Sequence, residues 1–352
     1  MSRYLLSTAP SYDSIGNQSS MICNNSHVRA FSQVVLPTLY SLVCIVGILG
    51  NGLVMCVLTK YLQKSNMMDV CLFNLAVSDM LFLITLPFWA HYSAVQEWIF
   101  GDFLCRTVTA LHNLGFYSSI FFMLLMTVDR YVVTVHALSS IFFKRSSCRV
   151  GAALVLLVWV LSVGASIPEI VFSEERNETT GFKCEFDSRS PVGRQWKLVG
   201  YVQLNVLGLL LPIVVMGFCY SKIIPTLVAM KSKQRFKAIK LMLVMIFIFF
   251  LCWTPYHLVA FLKFLSHLNY LNNCTWQAGL NLAMPWVETI AYSHCCLNPF
   301  IYFIMGQRFR TLIVKVLKEW FPMCFSRCNL ITTQLTLKRN MRHSVIYSTT
   351  VV

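Results

Sequence analysis

Charge is scarce in this sequence, and the scarcity sets the class before any motif is read. Only 12% of the 352 residues are Asp, Glu, Lys or Arg, about half the share of an ordinary soluble domain, while 57% are hydrophobic and the mean hydropathy is +0.63. A soluble globular protein is thereby excluded and a membrane protein is expected. The first 33 residues lack any continuous apolar stretch fit to be a signal-peptide core, so the first long apolar run is expected both to target the chain and to stay in the bilayer. Internal repeats, low-complexity tracts and a second domain are also missing.

What is present is a series of long apolar runs. A spanning helix needs about 20 predominantly apolar residues, and seven segments qualify, at roughly 34–58, 68–92, 105–134, 150–172, 199–228, 237–265 and 283–306. Gly, Pro and polar residues mark the connections. The fold class expected is an all-α membrane protein, a seven-transmembrane-helix bundle over residues 34–306 with a tail at 1–33. After it, "GQRFRTLIVKVLKEWF" reads as an amphipathic helix over 307–320 lying on membrane lipid with its basic residues toward the headgroups, and 321–352 is a second tail.

Lysine and arginine give the orientation. Nine of the 29 fall on one side of the seven spans and the rest on the other, including Lys60, Arg130, Lys144, Arg145, Arg149 and Lys231 to Lys240. Basic loops stay inside, which places the N-terminus outside the cell, the C-terminus in the cytoplasm and the chain in the plasma membrane. The net charge of +15 is then largely a topology signal. No nucleic-acid partner is expected, because the bases are spread over loop ends without a foldable domain behind them.

The segments expected outside carry the acceptor tripeptides for glycosylation at Asn17, Asn24 and Asn177; a fourth, at Asn273, has Cys274 at its centre. Four cysteines, Cys23, Cys105, Cys184 and Cys274, lie in these oxidising segments, where an even set reads as disulfides with three possible pairings. Cys324 and Cys328, beyond the amphipathic stretch, are expected to be palmitoylated.

Ionisable groups inside spans are costly and usually functional. Asp79 lies mid-segment in the second span, Glu288 in the outer part of the seventh, and Asp129 with Arg130 at the inner end of the third, where snorkelling makes an ion pair inexpensive. A transporter would set acids at midplane on broken helices of paired halves, but seven spans do not halve and no matched broken pair is present. An intramembrane hydrolase would need a nucleophile beside its base, and the candidates lie at different depths. The triplet His294-Cys295-Cys296 bears metal-ligating groups, but adjacent helix residues point in different directions, so packing is the reading preferred over a metal site.

Five motifs in order, each in its own span, carry a resemblance: "GNGLV" at 50–54, "NLAVSD" at 74–79, "DRY" at 129–131, "CWTPY" at 252–256 and "NPFIY" at 298–302. Together they resemble the rhodopsin-like G-protein-coupled receptors across all seven spans. Within that superfamily "TLPFW" at 85–89, "DRYVVTVHA" at 129–137, "KSKQRFKAIK" at 231–240 and "SHCCLNPFIY" at 293–302 are similar to the chemokine receptors of the CC and XC branches.

The resemblance implies a receptor, not an enzyme. It would bind a secreted chemokine outside and activate an inhibitory heterotrimeric G protein inside, driving calcium signalling and chemotaxis. It implies disulfides Cys105–Cys184 and Cys23–Cys274, and a ligand pocket with Tyr40, Trp89, His112, Tyr256 and Glu288, the last anchoring a cationic ligand N-terminus. Asp129 would restrain Arg130 in the off state beside Tyr131, while Tyr220 and Tyr302 would support its active position, swung toward the core. Trp253 would be the toggle beneath the ligand, with Pro255, Asn298 and Pro299 shaping the sixth and seventh helices and Thr85 and Pro87 kinking the second. Asp79, Ser119 and Asn298 would form an allosteric sodium site, with no other cofactor. Receptor kinases would phosphorylate Ser and Thr of the tail, from Ser326 to Thr350, to recruit arrestin.

Two features depart from the family pattern. His112 replaces a pocket-facing tyrosine and brings a titratable group to the expected pocket. The N-terminal tail is not acidic, Asp13 being opposed by Arg3 and Arg29, although capture of a basic chemokine normally uses a negative surface. Sulfation of Tyr12, beside Asp13, and of Tyr4 would supply that charge. The alternatives are a receptor for a different peptide and a chemokine scavenger that does not signal.

Overall fold

Apolar runs of this length leave the backbone few ways to satisfy its polar groups without water, and the chain takes the helical one. The computed structural model describes residues 26–61, 67–136, 147–178, 181–187, 189–230, 233–271 and 273–320. In chain order the elements are α1 (Ser26–Tyr61), α2 (Met67–Leu83), α3 (Leu86–Val95), α4 (Gly101–Val135), α5 (Ser147–Phe172), β1 (Ser173–Glu178), β2 (Gly181–Phe186), α6 (Pro191–Asn205), a π turn (Val206–Leu210), α7 (Leu211–Met230), α8 (Lys233–His267), α9 (Cys274–Tyr292), α10 (His294–Met305) and α11 (Gln307–Trp320). Residues up to Ile301 form one compact unit and those from Tyr302 onward a second.

Among the described residues six helical stretches are long and apolar enough to cross a membrane: Gln33–Tyr61, Met67–Val95, Gly101–Val135, Arg149–Phe172, Pro191–Ala229 and Ile239–His267. The seventh expected span is divided at Ser293, which leaves neither α9 nor α10 sufficient alone. At Ser293 the backbone stays helical (φ −62°, ψ −20°). The amides of Cys296 and Leu297 both donate to the Ser293 carbonyl, at 3.0 and 3.3 Å, so only the hydrogen-bond ladder changes step.

Prolines set the other irregularities. Pro212 has no N–H to give the Gly208 carbonyl, and Leu211 reaches back instead to Val206, closing the π turn between α6 and α7. Pro87 opens α3 just past a break at Ile84 and Thr85, where the Thr85 hydroxyl donates to the Phe82 carbonyl at 2.6 Å. Ser190 caps α6 by accepting from the Gly193 amide at 2.9 Å, with Pro191 in the first turn.

In the first unit α4 runs through the middle of the bundle, packed on α2, α5 and α7, while α1 meets α2, α3 and α9, and α8 meets α6 and α9. Gly115 permits a close approach of α4 to α2, since a Cβ there would lie 2.8 Å from the Phe82 amide nitrogen and the Ser78 carbonyl oxygen. Trp159 of α5 donates to the Asn74 side chain of α2 at 3.0 Å. Large apolar residues face outward all round, Leu156 64%, Val214 67% and Leu251 62% exposed among them, a surface suited to hydrocarbon and too large for a soluble monomer. In the second unit α11 sets Phe309, Leu312, Ile313 and Val316 against Arg310, Lys315 and Lys318 in an amphipathic pattern.

Candidate functional site

The buried polar centre begins with a missing donor. Pro299 cannot hydrogen-bond the Cys295 carbonyl one turn back, and Asn51 of α1 does so instead, its Nδ2 donating to Cys295 O at 2.9 Å and to Gly47 O at 3.0 Å. Pro299 packs against α1 at Gly50, where a Cβ would fall 2.9 Å from its ring. This junction fixes the first turns of α10 and aims them at α2. Asp79, fully buried, accepts from Asn298 Nδ2 at 2.9 Å and from the Ser119 hydroxyl at 3.2 Å. Asp79, Ser119 and Asn298, predicted as one group, are thus brought together.

His294 and Cys295 also arrive there. His294 Nε2 lies 3.9 Å from Asp79 Oδ1, and ligand atoms of Asp79, His294 and Cys295 all fall within 4.8 Å of one another. Cys296 points elsewhere, its thiol donating to the Val43 carbonyl at 3.1 Å. The triplet therefore splits: one member packs, as expected from the sequence, and two face a carboxylate. The sequence held the signal, because positions 294 and 295 precede Asn298 by four and three residues and share its helix face.

At the end of the bundle away from the hairpin, Arg130 pairs with Asp129 at 3.0 Å, their side chains 22% and 19% exposed. Tyr131 packs on Phe218 of α7 and on His136, with ring centroids 5.8 and 5.4 Å apart. Tyr220 is buried on α7. Tyr302, in the second unit, is buried with its ring 5.7 Å from Phe309.

Above Asp79 stands a column of rings. Trp253 is buried against Phe116 (4.4 Å), His294 (5.3 Å) and Tyr256 (5.5 Å). Its Nε1, and both ring nitrogens of the neighbouring His257, make no hydrogen bond among the described residues, a polar cost held where the helix is expected to move. Leu251 O lacks its intrahelical donor because Pro255 lies four residues on.

The predicted pocket residues fall into two groups. Tyr40, Trp89 and His112 belong to an aromatic cluster joined through Tyr292, which lies 5.7 Å from Tyr40 and 5.2 Å from His112. His112 is buried, 2.9 Å from the Thr85 hydroxyl, so the histidine that replaces tyrosine is tied to the break in the second span. Tyr256 and Glu288 belong to a charged group. Glu288 is buried within electrostatic range of Lys263, Tyr201 and Tyr256. Tyr256 also lines a small cavity with Glu169, Lys197, Tyr201 and Met284. Lys197, Lys263 and Glu169, none of them among the predicted site residues, are buried here as well, and the cost of burying an ionisable group is the signal that marks them.

A hairpin covers this end. β1 and β2 pair antiparallel, and Cys184 of β2 is bonded to Cys105 at the start of α4, the predicted bridge. Asp102 accepts from the Glu175 amide at 2.9 Å and pairs with Arg106 at 2.7 Å, while the Trp98 amide donates to Phe182 O at 2.7 Å. Asp187 accepts from the Ser190 hydroxyl (2.7 Å), the Arg189 amide (3.0 Å) and Arg176 (3.0 Å), and the Ser190 bond leads in holding its carboxyl down at about 2. Glu185, desolvated and near Glu178, is pushed up. Asn177 is exposed on β1. Tyr4, Tyr12, Asn17, Cys23, Asn24, Cys324 and Cys328 lie outside the described residues, as does the Cys274 side chain.

The family pattern of the 7 transmembrane receptor (rhodopsin family) matches residues 50–302. The chain is 42% identical to human C-C chemokine receptor type 4 over 299 residues, 84% of this chain and 81% of that protein. It is 40% identical to human C-C chemokine receptor type 1 over 308 residues, 85% and 86% of the two.

Proposed function

This chain belongs to the chemokine receptors of the rhodopsin family of seven-transmembrane receptors, and on that premise we propose that it binds a secreted chemokine at the hairpin end and activates an inhibitory heterotrimeric G protein at the opposite end. The hairpin end then faces outside the cell, with the N-terminus, and the chain resides in the plasma membrane. The observation that carries the signalling reading is the Asp129–Arg130 pair, a restraint whose release frees a cation for a G-protein helix. An ion pair at a helix end is a two-state element, and a ligand that binds one state better shifts the population without touching the pair.

The ligand's N-terminal amine is met by Glu288, and its arrival moves α9 and the rings around Trp253. Lys263, within electrostatic range of Glu288 and of Lys197, brings a basic nitrogen to the same pocket, suited to a ligand segment that carries an acid next to its amine. Asp79 and the Ser119 hydroxyl supply hard oxygens for the allosteric sodium, while Asn298, bonded through its amide nitrogen, orients the carboxylate. Calcium release and chemotaxis follow from the G protein, and tail phosphorylation recruits arrestin.

The test is inhibition of cyclic AMP in cells expressing the chain, across a panel of purified chemokines, beside Arg130→Ala. A response to one ligand, lost in the variant while binding persists, is the expected result. Binding and uptake without response in either form would make the chain a scavenger, and a panel without any binder would make it a receptor for another peptide.

A further inference from the structure

His294 has its tautomer set by its backbone. Nδ1 lies 2.7 Å from the Ala291 carbonyl, which can only accept, so Nδ1 carries the proton and the Nε2 lone pair faces outward. What it faces is Asp79 Oδ1 at 3.9 Å, too far for a hydrogen bond. Cys295 Sγ stands 3.5 Å from the same Nε2. A nitrogen lone pair, a carboxylate oxygen and a sulfur thus converge in a space that admits almost no solvent, the three residues being 3%, 0% and 0% exposed.

From this geometry we infer that Asp79, His294 and Cys295 form a site for a divalent transition-metal ion of the zinc class, which competes with sodium for the carboxylate. Metal–nitrogen, metal–oxygen and metal–sulfur bonds of about 2.0–2.3 Å at tetrahedral angles put ligand atoms roughly 3.3–3.8 Å apart. Two observed separations, 3.5 and 3.9 Å, already lie at or next to that span, and all three ligand atoms fall within 4.8 Å of one another. Nitrogen and sulfur suit a borderline or soft ion and suit sodium poorly. Supporting contacts of the kind metal sites require are in place: the Ala291 carbonyl holds His294, while Ser119 and Asn298 hold Asp79. On binding, the Cys295 thiol gives its proton to solvent, so the dication meets one thiolate and one carboxylate and the buried site is neutral. Three protein ligands leave a fourth position for water.

The ion would tie α2 to α10 and fix the His294 ring, which packs on Trp253 and on Phe249 at centroid distances of 5.3 and 5.5 Å. Occupancy therefore restrains the toggle and favours the arrangement described here. The inference rests on the helix packing alone and is independent of which ligand the receptor takes.

The test uses the full chain in lipid nanodiscs. Cobalt(II) should give a thiolate-to-metal charge-transfer band with tetrahedral visible bands, and zinc should abolish them and raise the thermal midpoint. Cys295→Ser and His294→Asn should weaken cobalt by at least about tenfold, a loss of the size that even supporting residues produce, and cancel the thermal shift, while Cys296→Ser keeps both. Zinc-edge absorption on the unmutated chain at one equivalent of metal needs no variant. It should show one sulfur at about 2.3 Å with nitrogen and oxygen at about 2.0–2.2 Å. A shell without sulfur, a shell with two or more, or a thermal shift that survives in both variants would overturn the site and leave a packing cluster in which the thiol serves Asp79.

Discussion

Replacing Asp129 by Asn keeps the shape of the side chain and removes the charge that holds Arg130. The pair lies at 3.0 Å with about a fifth of each side chain exposed, between the limits for which magnitudes are known. Fully exposed pairs contribute about 0.2–1 kcal/mol, and removing one partner of a buried pair costs about 3–5 kcal/mol. About 1.5–2 kcal/mol is the value expected here, and since 1.4 kcal/mol is tenfold, the equilibrium should move roughly 10- to 25-fold toward free Arg130. A receptor with about 1% of molecules active at rest would rise to roughly 10–20%. The assay is ligand-independent nucleotide exchange on G protein in membranes with matched receptor density, with Arg130→Ala as the silent control. Basal exchange within twofold of the parent, in a variant that still binds ligand, would refute the restraint.

Gly115→Ala places a methyl group against backbone atoms of α2 that cannot give way, and should cost about 1–3 kcal/mol, read as a lower thermal midpoint; Gly52→Ala, with open space at its Cβ, should be neutral. Cys184→Ser breaks a bridge spanning 79 residues, with about 2–5 kcal/mol of stability, and should reduce correctly folded receptor at the cell surface. Asp187→Asn should destabilise the hairpin end at neutral pH by about 1–2 kcal/mol, after discounting for its exposure. Its carboxyl is held below the unfolded value, so the parent's advantage is complete above pH about 4 and lost as pH falls through about 2. Parallel acid titrations of parent and variant should therefore converge at low pH, and a constant gap would contradict the assignment.

Much of the bundle was legible because membrane helices follow from composition. Run length gave the spans: the described helical stretches bracket the first six predicted segments, since end residues such as Gly101, Asp102 and Pro191 extend a helix without adding apolarity, while the seventh is divided at Ser293. The bridge from Cys105 to Cys184 came through resemblance, because spacing alone allowed three pairings. Less legible was the pocket. Lys197 and Lys263 look like surface residues at the ends of spans, and only the packing of α6, α8 and α9 shows them buried beside Glu288 and Glu169. The resemblance places His112 in the pocket, but the bond between its Nδ1 and the Thr85 hydroxyl is one that no periodicity in either helix foretells.

The polar centre shows why motifs can be read singly but not their junction. Pro299 removes one backbone donor, which frees the Cys295 carbonyl; Asn51 takes it, and Gly50 lets the proline come close enough for that bond to form. Those two contacts settle the rotation of α10 about its axis. Once the rotation is settled, His294, Cys295 and Asn298 lie on the face turned to α2, and Asp79 is the acid they meet. The "GNGLV" and "NPFIY" motifs are therefore two halves of one device. Disturbing the first half, as in Asn51→Ala, should weaken binding of the sodium and zinc-class ions proposed for that centre, read as a smaller thermal shift with each ion than in the parent.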